Sequence, residues 1–343
     1  MAWQREDRGP ESCLPFIMYE GNRANVMKNK RDEQKKIAIL LATRDGEKYI
    51  GEMLDSLLAQ TFQDFVCYIH DDGSSDGTLQ VVARYLEKYS EKFQLLEGPF
   101  QGEAKKNFLW MLGKVDAPLY MFADQDDVWL PEKIEKTLGV FRSLPGKYRC
   151  VFTDMYVTDE KLRVTSDSMI RLIGRDPKRI RYGQIMIDNP AAGCTMLFDR
   201  ALRDKALQLK NPEHIEMHDQ WVLVLGALFG TVAAVDEPLV YYRQHGDNAM
   251  GAEEEQAVQK ASRNVKEISR GEVREEKAGF IQKARLLAAE ILSVDGIPEE
   301  ERKVLQNFVE LERHGKLYRI LFYAGHHFDR KGLLRTLWMW LWV

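Results

Sequence analysis

The sequence predicts an α/β fold, in which helices flank a mixed sheet and a helical extension follows at the C-terminal end. Continuous apolar runs alternate with segments of helical spacing, which is the pattern of βαβ units whose strands are covered on both faces. After residue 250 the strand pattern ends, and charged helical sequence follows. Together these observations favour one sheet-based domain with a helical region behind it.

The elements of the first half follow one another regularly. Apolar runs predict strands at residues 37–42, 65–69, 93–96 and 119–123. Apolar residues three and four positions apart predict helices at residues 50–58, 78–89 and 104–115. Beyond residue 143 the pattern is mixed, with strands expected at 150–153, 195–198 and 239–242 and a helix at 219–229. Parallel strands joined by helices end at one edge of the sheet, which is where ligands bind in such folds.

Composition limits the classes of function. The chain has 49 Lys and Arg against 53 Asp and Glu, a formal net charge of −4 that gives no support to nucleic-acid binding. The four cysteines show no metal-ligand spacing and indicate free thiols in a reducing compartment. No uncharged apolar run reaches the ~18 residues of a membrane-spanning helix. We expect a cytoplasmic protein with a disordered leader at 1–35, an α/β domain at 36–250 and a helical region at 251–343.

An acidic cluster follows the predicted fourth strand. Asp124, Asp126 and Asp127 stand within four residues, and carboxylates this close repel one another unless a cation neutralises them. Mg²⁺ and Mn²⁺ are commonly shared between such carboxylates and a substrate phosphate. The cluster therefore indicates a Mg²⁺ or Mn²⁺ site that binds a diphosphate. A solvated acidic loop leading into the next helix is the alternative.

A second polar segment, at residues 71–78, follows the predicted second strand. Its glycines permit a sharp turn, and a carboxylate such as Asp72 could accept the imide N–H of a uracil or thymine ring. A turn in which Asp76 or Thr78 caps the following helix is the alternative. Asp72, Thr43 and Asp124 all fall at the predicted carboxyl ends of strands, so we expect them to lie close together.

Three strings resemble motifs of family 2 glycosyltransferases. Residues 42–50 resemble the opening motif of that family, residues 71–78 its base-binding loop, and residues 124–126 its DxD motif. Residues 124–129 and 242–245 are most similar to a rhamnosyltransferase-like branch. The resemblance covers roughly residues 36–250, and it implies a GT-A fold and the transfer of a sugar from a nucleotide diphospho-sugar.

The resemblance also implies roles for individual residues. In the opening motif the family often has Tyr-Asn where Arg44 and Asp45 stand here. The resemblance implies that Thr43 and Arg44 lie beside the nucleotide and that Glu47 holds their loop. It implies that Asp72 contacts the base and that Lys106 lies near the base or a phosphate. Asp124 would contact the ribose with Gln125 beside it, and Asp126 would bind the metal. For Lys106, a solvated helix start is an equal alternative.

Asp219 is the candidate catalytic base. Direct displacement at an anomeric carbon requires a carboxylate that takes the proton of the acceptor hydroxyl. Asp219 stands at the head of an apolar helix, and with His218 it resembles the base motif of the family. A helix N-cap is the alternative, and the two roles are compatible because a helix N-terminus favours an ionised carboxylate.

Two residues after the last predicted strand complete the candidate site. His245 could complete the metal shell or, when protonated, bind the diphosphate. Arg243 could hold a phosphate through a bidentate fork. The alternative for His245 is a surface histidine with an ordinary partner.

The C-terminal end carries an aromatic tail. Trp338, Trp340 and Trp342 lie beside Lys331 and Arg335, a combination that suits a membrane interface. The alternative is a helix whose aromatic face packs on the α/β domain or on a second subunit of a homodimer.

The residues together predict a metal-dependent inverting glycosyltransferase that acts in the cytoplasm, at the inner face of the plasma membrane. Its expected donor is a UDP- or dTDP-sugar, for which the similarity to the rhamnosyltransferase-like branch suggests rhamnose. Its expected acceptor is a bacterial surface polysaccharide or a lipid-linked glycan. Two other classes remain open: an aspartate-based phosphatase or nucleotidyltransferase, and a nucleotide-binding scaffold subunit without catalytic activity.

Overall fold

A computed structural model of the chain describes residues 37–245 and 270–342, without the side chains of 270–278, 338, 341 and 342. The predicted leader and the predicted boundary near residue 250 lie outside the described residues, so both stay predictions. No helix within the described ranges has the length and apolar character needed to cross a membrane.

The described strands form one mixed sheet. They are β1 (Ile37–Thr43), β2 (Phe65–Asp71), β3 (Phe93–Leu95), β4 (Leu119–Asp124), β5 (Val128–Trp129), β6 (Arg149–Thr158), β7 (Val164–Ser166), β8 (Met196–Asp199) and β9 (Thr231–Arg243). Their spatial order is β3-β2-β1-β4-β8-β6-β9-β5, with β7 beside β6. The first four strands are parallel, whereas β8 runs antiparallel to both β4 and β6. The predicted mixed sheet is therefore confirmed.

Helices cover the sheet and form the C-terminal region. They are α1 (Ile50–Leu58), α2 (Thr78–Lys88), α3 (Ala104–Lys114), α4 (Lys133–Ser143), α5 (Met169–Leu172), α6 (Tyr182–Ile187), α7 (Arg200–Ala206), α8 (His218–Phe229), α9 (Arg270–Ile291), α10 (Glu299–Glu310), α11 (Lys316–Gly325) and α12 (Leu333–Trp342).

Alternating side chains of the strands divide the core into two layers. On β1, Ile39 belongs to the layer formed with α1, α2 and α4, whereas Leu40 belongs to the layer formed with α3 and α8. The second layer continues into the C-terminal helices, since Leu287 and Phe308 pack in the same cluster as Phe108. The C-terminal helices are thus held to the α/β domain by shared apolar burial, the main source of folding free energy.

Register brings the polar ends of three strands together. Thr43 pairs with Asp71 across β1 and β2, and Ala42 pairs with Asp124 across β1 and β4. The loops that follow these strands therefore leave the sheet at one edge, as the sequence predicts.

The second half of the sheet differs from the prediction. Strands β6 and β9 are much longer than the runs predicted at 150–153 and 239–242, and the short elements β5, β7, α5, α6 and α7 were not predicted. The parallel β6–β9 register is interrupted near Asp154 and Pro238, where proline has no N–H to donate to the ladder. Much of β9 is also half-buried, so it has no continuous apolar run to signal a strand.

Candidate functional site

A cavity of about 490 Å³ opens at the carboxyl ends of β1, β2 and β4. Its lining brings together most of the predicted site residues, namely Thr43, Arg44, Asp72, Asp124, Gln125, Asp126 and Asp219. Segments far apart in the sequence thus contribute to one concave surface, which is hereafter the first cavity.

The two glycine-containing loops beside the first cavity are tied to each other. The backbone N–H of Asp45 donates to Ser74 Oγ at 2.8 Å, and the N–H of Ser75 donates to Asp45 Oδ1 at 2.7 Å. Asp45 has a φ of 48°, a left-handed conformation that Asn and Asp tolerate better than most residues. The substitution of Asp for the Asn common at this position therefore keeps the backbone geometry of the loop.

Glu47 acts within this pair of loops and does not line the first cavity. Its carboxylate accepts the N–H of Gly77 at 2.9 Å. This contact matches the loop-holding role that the resemblance implies. It gives no direct contact to a bound nucleotide.

Gln125 links the acidic cluster to the loop after β1. Its Oε1 accepts the Thr43 hydroxyl at 2.5 Å and the Arg44 N–H at 2.9 Å, while its Nε2 donates to the Arg44 carbonyl at 2.9 Å. Both the oxygen and the nitrogen of the amide group thereby bond to this loop. We therefore assign Gln125 to the wall of the first cavity, with its polar atoms facing the loop.

Asp72 is buried at the rim of the first cavity. Its two carboxylate oxygens accept the backbone N–H groups of Gln101 and Gly102, at 2.5 and 2.9 Å. Carboxylate oxygens have more than one acceptor site each, so a ligand N–H can still be accommodated. The contacts also fix the 101–102 segment as one side of the entrance.

Asp126 and His245 meet at the edge of the first cavity. His245 Nε2 lies 2.9 Å from Asp126 Oδ2, and both side chains are largely buried. An imidazole and a carboxylate at this separation are a fitting donor set for a divalent cation. The two residues that the sequence analysis names as candidate metal ligands are therefore in contact.

Asp124 carries an electrostatic cost in the absence of a cation. Burial, together with the negative charges of Asp126 and Asp219, raises the pKa of Asp124 to about 7. A cation at this place would remove that cost, because an opposite charge favours the ionised carboxylate. The pKa shift agrees with a cation-binding role for the cluster.

Asp127 belongs to a buried group beneath the first cavity. Asp124, Asp127 and the Cys194 thiol offer atoms within 4.8 Å of one another, and burial raises the pKa of Asp127 well above its usual value. Lys133 is also fully buried, with its ammonium group 3.2 Å from the centroid of the Trp129 ring, and burial lowers its pKa to about 7. Asp127 does not line the first cavity, so Asp124 and Asp126 are the carboxylates of the acidic cluster that can face a diphosphate.

Arg243 takes a structural position. Its guanidinium donates to the carbonyl oxygens of Asp126, at 2.9 Å, and Glu160, at 2.6 Å, and also to the Glu52 carboxylate. The side chain is buried, and Tyr49 covers it. The predicted phosphate contact therefore finds no support in the geometry, because the fork of donors is used to hold the Asp126 loop.

Lys106 is not brought to the first cavity either. It forms ion pairs with Glu103 at 3.0 Å and Glu213 at 2.9 Å. Its neighbour Asn107 lines the first cavity instead. Successive residues on a helix point about 100° apart, and the sequence alone did not determine which residue of α3 faces inward.

Asp219 lies in the first turn of α8, which begins at His218. Its carboxylate accepts the N–H of Gly193 at 3.0 Å and also the N–H of Gln220, and Asn189 lies 3.4 Å away. The N-cap position belongs to Met217, so Asp219 is not the N-cap proposed as the alternative. Burial raises the pKa of Asp219 to about 6, although the two N–H donors and the charge of Arg175 oppose the shift.

His218 appears in the sequence analysis only as the neighbour of Asp219 in the base motif, and no role was predicted for it. It lines the first cavity, stacks on Phe108 at 4.2 Å between ring centroids, and has no hydrogen-bond partner at either ring nitrogen among the described residues. Burial lowers its pKa to about 3, so the ring is neutral. A buried polar group without a partner is costly, which points to a ligand hydroxyl as its partner.

Gly193 explains how the loop before β8 reaches Asp219. A Cβ atom at this position would lie 2.8 Å from His218 Nε2, and that ring is fixed by packing. Only glycine allows the backbone N–H to approach the carboxylate this closely.

A second cavity of about 530 Å³ adjoins the first. The two share Met155, Ala192, Met217 and Asp219 in their linings. Its outer wall comes from α9, through Phe280, Lys283 and Leu286. Asp219 is therefore the carboxylate that lines both cavities.

Comparisons with known proteins agree with this architecture. Residues 38–205 match the model of the family described as Glycosyl transferase family 2. The dTDP-rhamnosyl transferase RfbG of Shigella flexneri is 26% identical over 224 residues, which are 62% of this chain and 74% of that protein. The uncharacterized glycosyltransferase alr2836 of Nostoc sp. is 25% identical over 218 residues, which are 62% of this chain and 66% of that protein. The chain thus spans just under two thirds of the Nostoc relative.

A solved structure shows the same fold. The structure of residues 1–349 of S. aureus TarS in complex with UDP-GlcNAc superposes on this chain with a TM-score of 0.53 and 21% sequence identity. The match covers 89% of this chain and 78% of the TarS chain. The match of residues 38–205 agrees with the family resemblance that the three motifs indicate. Residues 38–205, just under half of the chain, therefore match a family 2 glycosyltransferase domain, and the described residues have a GT-A-like fold.

Proposed function

We propose that the protein is a metal-dependent inverting glycosyltransferase that moves a sugar from a UDP- or dTDP-sugar to a hydroxyl group of a glycan or lipid-linked glycan. The observation that carries this proposal is the position of Asp219 on the wall shared by the two cavities. A base in this position can face a donor in the first cavity and an acceptor in the second.

The first cavity has the groups that a nucleotide diphospho-sugar requires. Asp72 would contact the base, and Asp124 and Asp126 of the first cavity, with His245 beside Asp126, would hold a cation against the diphosphate. Mg²⁺ or Mn²⁺ bound there would neutralise the leaving diphosphate. The neutral His218 ring offers a hydrogen bond to a hydroxyl of the donor sugar.

Inversion follows from a single displacement. The acceptor oxygen forms a bond to the anomeric carbon while the bond from that carbon to the phosphate oxygen breaks, and the electron pair leaves with the nucleoside diphosphate. Asp219 takes the proton of the acceptor hydroxyl. Its contacts with Gly193 and Gln220 hold the carboxylate in one orientation, which is the positioning that such catalysis requires.

Phe280→Ala is expected to raise the KM for the acceptor about fivefold, because an aromatic contact contributes about 1 kcal/mol beyond its buried area. The affinity for the donor should stay unchanged, since Phe280 lines only the second cavity. Initial rates at varied acceptor concentration measure the effect. Phe62→Ala, at a half-buried phenylalanine outside both linings, is the matched control. An unchanged acceptor KM would remove the second cavity as the acceptor site.

A panel of nucleotide sugars incubated with Mn²⁺ and candidate acceptors tests the function itself. Release of a nucleoside diphosphate together with a glycosylated acceptor supports transfer. Release of inorganic phosphate supports the phosphatase class, and nucleotide binding without turnover supports a scaffold subunit. The panel should include dTDP-rhamnose, which the similarity to RfbG favours.

We propose that the reaction takes place in the cytoplasm, at the inner face of the plasma membrane, and that it contributes to the assembly of a bacterial surface polysaccharide.

A further inference from the structure

Helices α11 and α12 both carry exposed leucines. Leu317 and Leu321, one helical turn apart on α11, are 72% and 63% exposed. On α12, Leu333 and Leu334 are 73% and 75% exposed, and Leu337 follows one turn later. The two helices pack against each other, and their five exposed leucines are hereafter called the leucine face. Apolar groups collected on one surface commonly mark an interaction site.

The opposite sides of the same helices are firmly packed. Phe322 and Tyr323 of α11 and Met339 of α12 are buried in the core layer shared with α9 and α10. Trp340 is half-buried against the same layer. Trp340 thus packs on the protein, as one alternative in the sequence analysis proposed. The exposed apolar side chains of these helices are the leucines.

The charge around the leucine face has the opposite sign to the chain as a whole. Residues 314–342 contain five Lys and Arg residues and one acidic residue, whereas the complete chain has a net charge of −4. The basic residues are Lys316, Arg319, Arg330, Lys331 and Arg335, and the acidic one is Asp329. Exposed leucines among basic residues complement an anionic lipid surface, in which acyl chains lie below negative headgroups.

The leucine face is also joined to the second cavity. Lys331 Nζ donates to the Arg175 carbonyl at 2.8 Å, and Arg335 Nη1 donates to the Gly174 carbonyl at 3.0 Å. The Arg175 side chain lines the second cavity. Hydrogen bonds to carbonyl groups leave the positive charge of these side chains in place, so the same residues can position the loop and attract lipid.

We propose that the leucine face docks on an anionic phospholipid bilayer and holds the second cavity at the membrane surface. Arg330 pairs with Asp188, and Asp329 pairs with Arg179. Two copies apposed through this face would bring the other basic residues of each chain together, and like charges at an interface are unfavourable. A lipid surface instead satisfies both the apolar and the charged groups. Docking itself is independent of the reaction. Only the delivery of a lipid-linked acceptor to the second cavity rests on the proposed function.

Flotation with vesicles tests the proposal. The chain is mixed with vesicles of phosphatidylcholine alone or with added phosphatidylglycerol, in the absence of donor and acceptor. We expect flotation with the anionic vesicles that weakens with added salt and is much lower with the neutral ones. The variants Leu317→Glu/Leu321→Glu and Leu333→Glu/Leu334→Glu should each reduce the bound fraction about tenfold or more, because each places charge at the apolar boundary.

Leu207→Glu is the matched control, since Leu207 is an exposed leucine beyond α7 and away from the leucine face. Equal flotation of the control and the two double variants would overturn the proposal. Wild-type protein that floats with neither the neutral nor the anionic vesicles would also overturn it. Light scattering that shows dimers of the wild type and monomers of the double variants, without vesicle binding, would identify the face as a dimer interface and also overturn it. Turnover with a soluble acceptor should be unchanged in the double variants, which separates failure of docking from failure of the proposed reaction.

Discussion

Asp219→Asn is expected to lower kcat about 10³-fold while the affinity for the donor stays within about twofold, since general-base catalysis typically contributes 10²–10⁴-fold. The amide keeps the size of the side chain and can still accept the N–H of Gly193, but it takes no proton from the acceptor. Steady-state rates give kcat, and titration of the nucleotide sugar gives the affinity.

Asp199→Asn is the matched control for this change. Asp199 is also a buried carboxylate at a helix start, where it accepts the N–H of Leu202, but it lies outside both cavities. The control should lose stability without losing kcat. Full turnover in Asp219→Asn would show that Asp219 only supports the start of α8.

The pH dependence provides a second signature of the same residue. The base must be ionised, and burial raises the pKa of Asp219 to about 6. The value of kcat/KM should therefore fall about tenfold for each pH unit below 6 and level off above it, and the fall should be absent from the residual activity of Asp219→Asn. A wild-type profile that is flat down to pH 4 would contradict this assignment.

Asp126→Asn is expected to weaken the metal-dependent part of donor binding about 100-fold or more, because loss of even an outer-shell partner of a metal ligand costs 10–100-fold. Asp126 is in contact with His245 and faces the first cavity, whereas the neighbouring Asp127 is buried beneath it. Titration of UDP or a UDP-sugar with and without Mn²⁺ measures the difference. His245→Ala should show a loss in the same direction.

The control for the metal assignment is Asp116→Asn. Asp116 is an exposed carboxylate just before β4, at the end opposite to the acidic cluster, where it pairs with Arg200 at 3.1 Å. Donor binding by this variant should keep its full response to Mn²⁺. If Asp126→Asn also keeps that response, the cation binds elsewhere and Asp126 has another role.

The parts of the site that were predictable depend on local sequence. Thr43, Asp72 and Asp124 follow apolar runs, and in a parallel sheet such positions meet at one edge. The runs were recognisable because strands buried on both faces are continuously apolar. The C-terminal helices were predictable from their spacing and charge for the same kind of local reason.

The sequence did not predict which way a helix side chain points or how deeply a side chain is buried. Lys106 stands in a basic pair at the start of α3, and the sequence does not indicate which residue of this helix faces the cavity. In the structure Lys106 pairs with Glu103 and Glu213. Arg243 has the chemistry of a phosphate ligand, yet its buried guanidinium holds the Asp126 loop. The role of His218 depends on the absence of a partner among the described residues, which only coordinates can reveal.

By itself, the sequence determined the class of fold, the strand ends that converge and the acidic chemistry placed there, because these follow from short-range patterns of apolar and polar residues. Only the tertiary structure decided which distant groups meet. Asp126 and His245 are 119 residues apart in the chain, and Gly193 contacts Asp219 from a separate loop. The wall of the second cavity comes from α9, which packs there through the shared apolar layer. Such contacts depend on how whole elements pack, and no single segment of the chain contains that information.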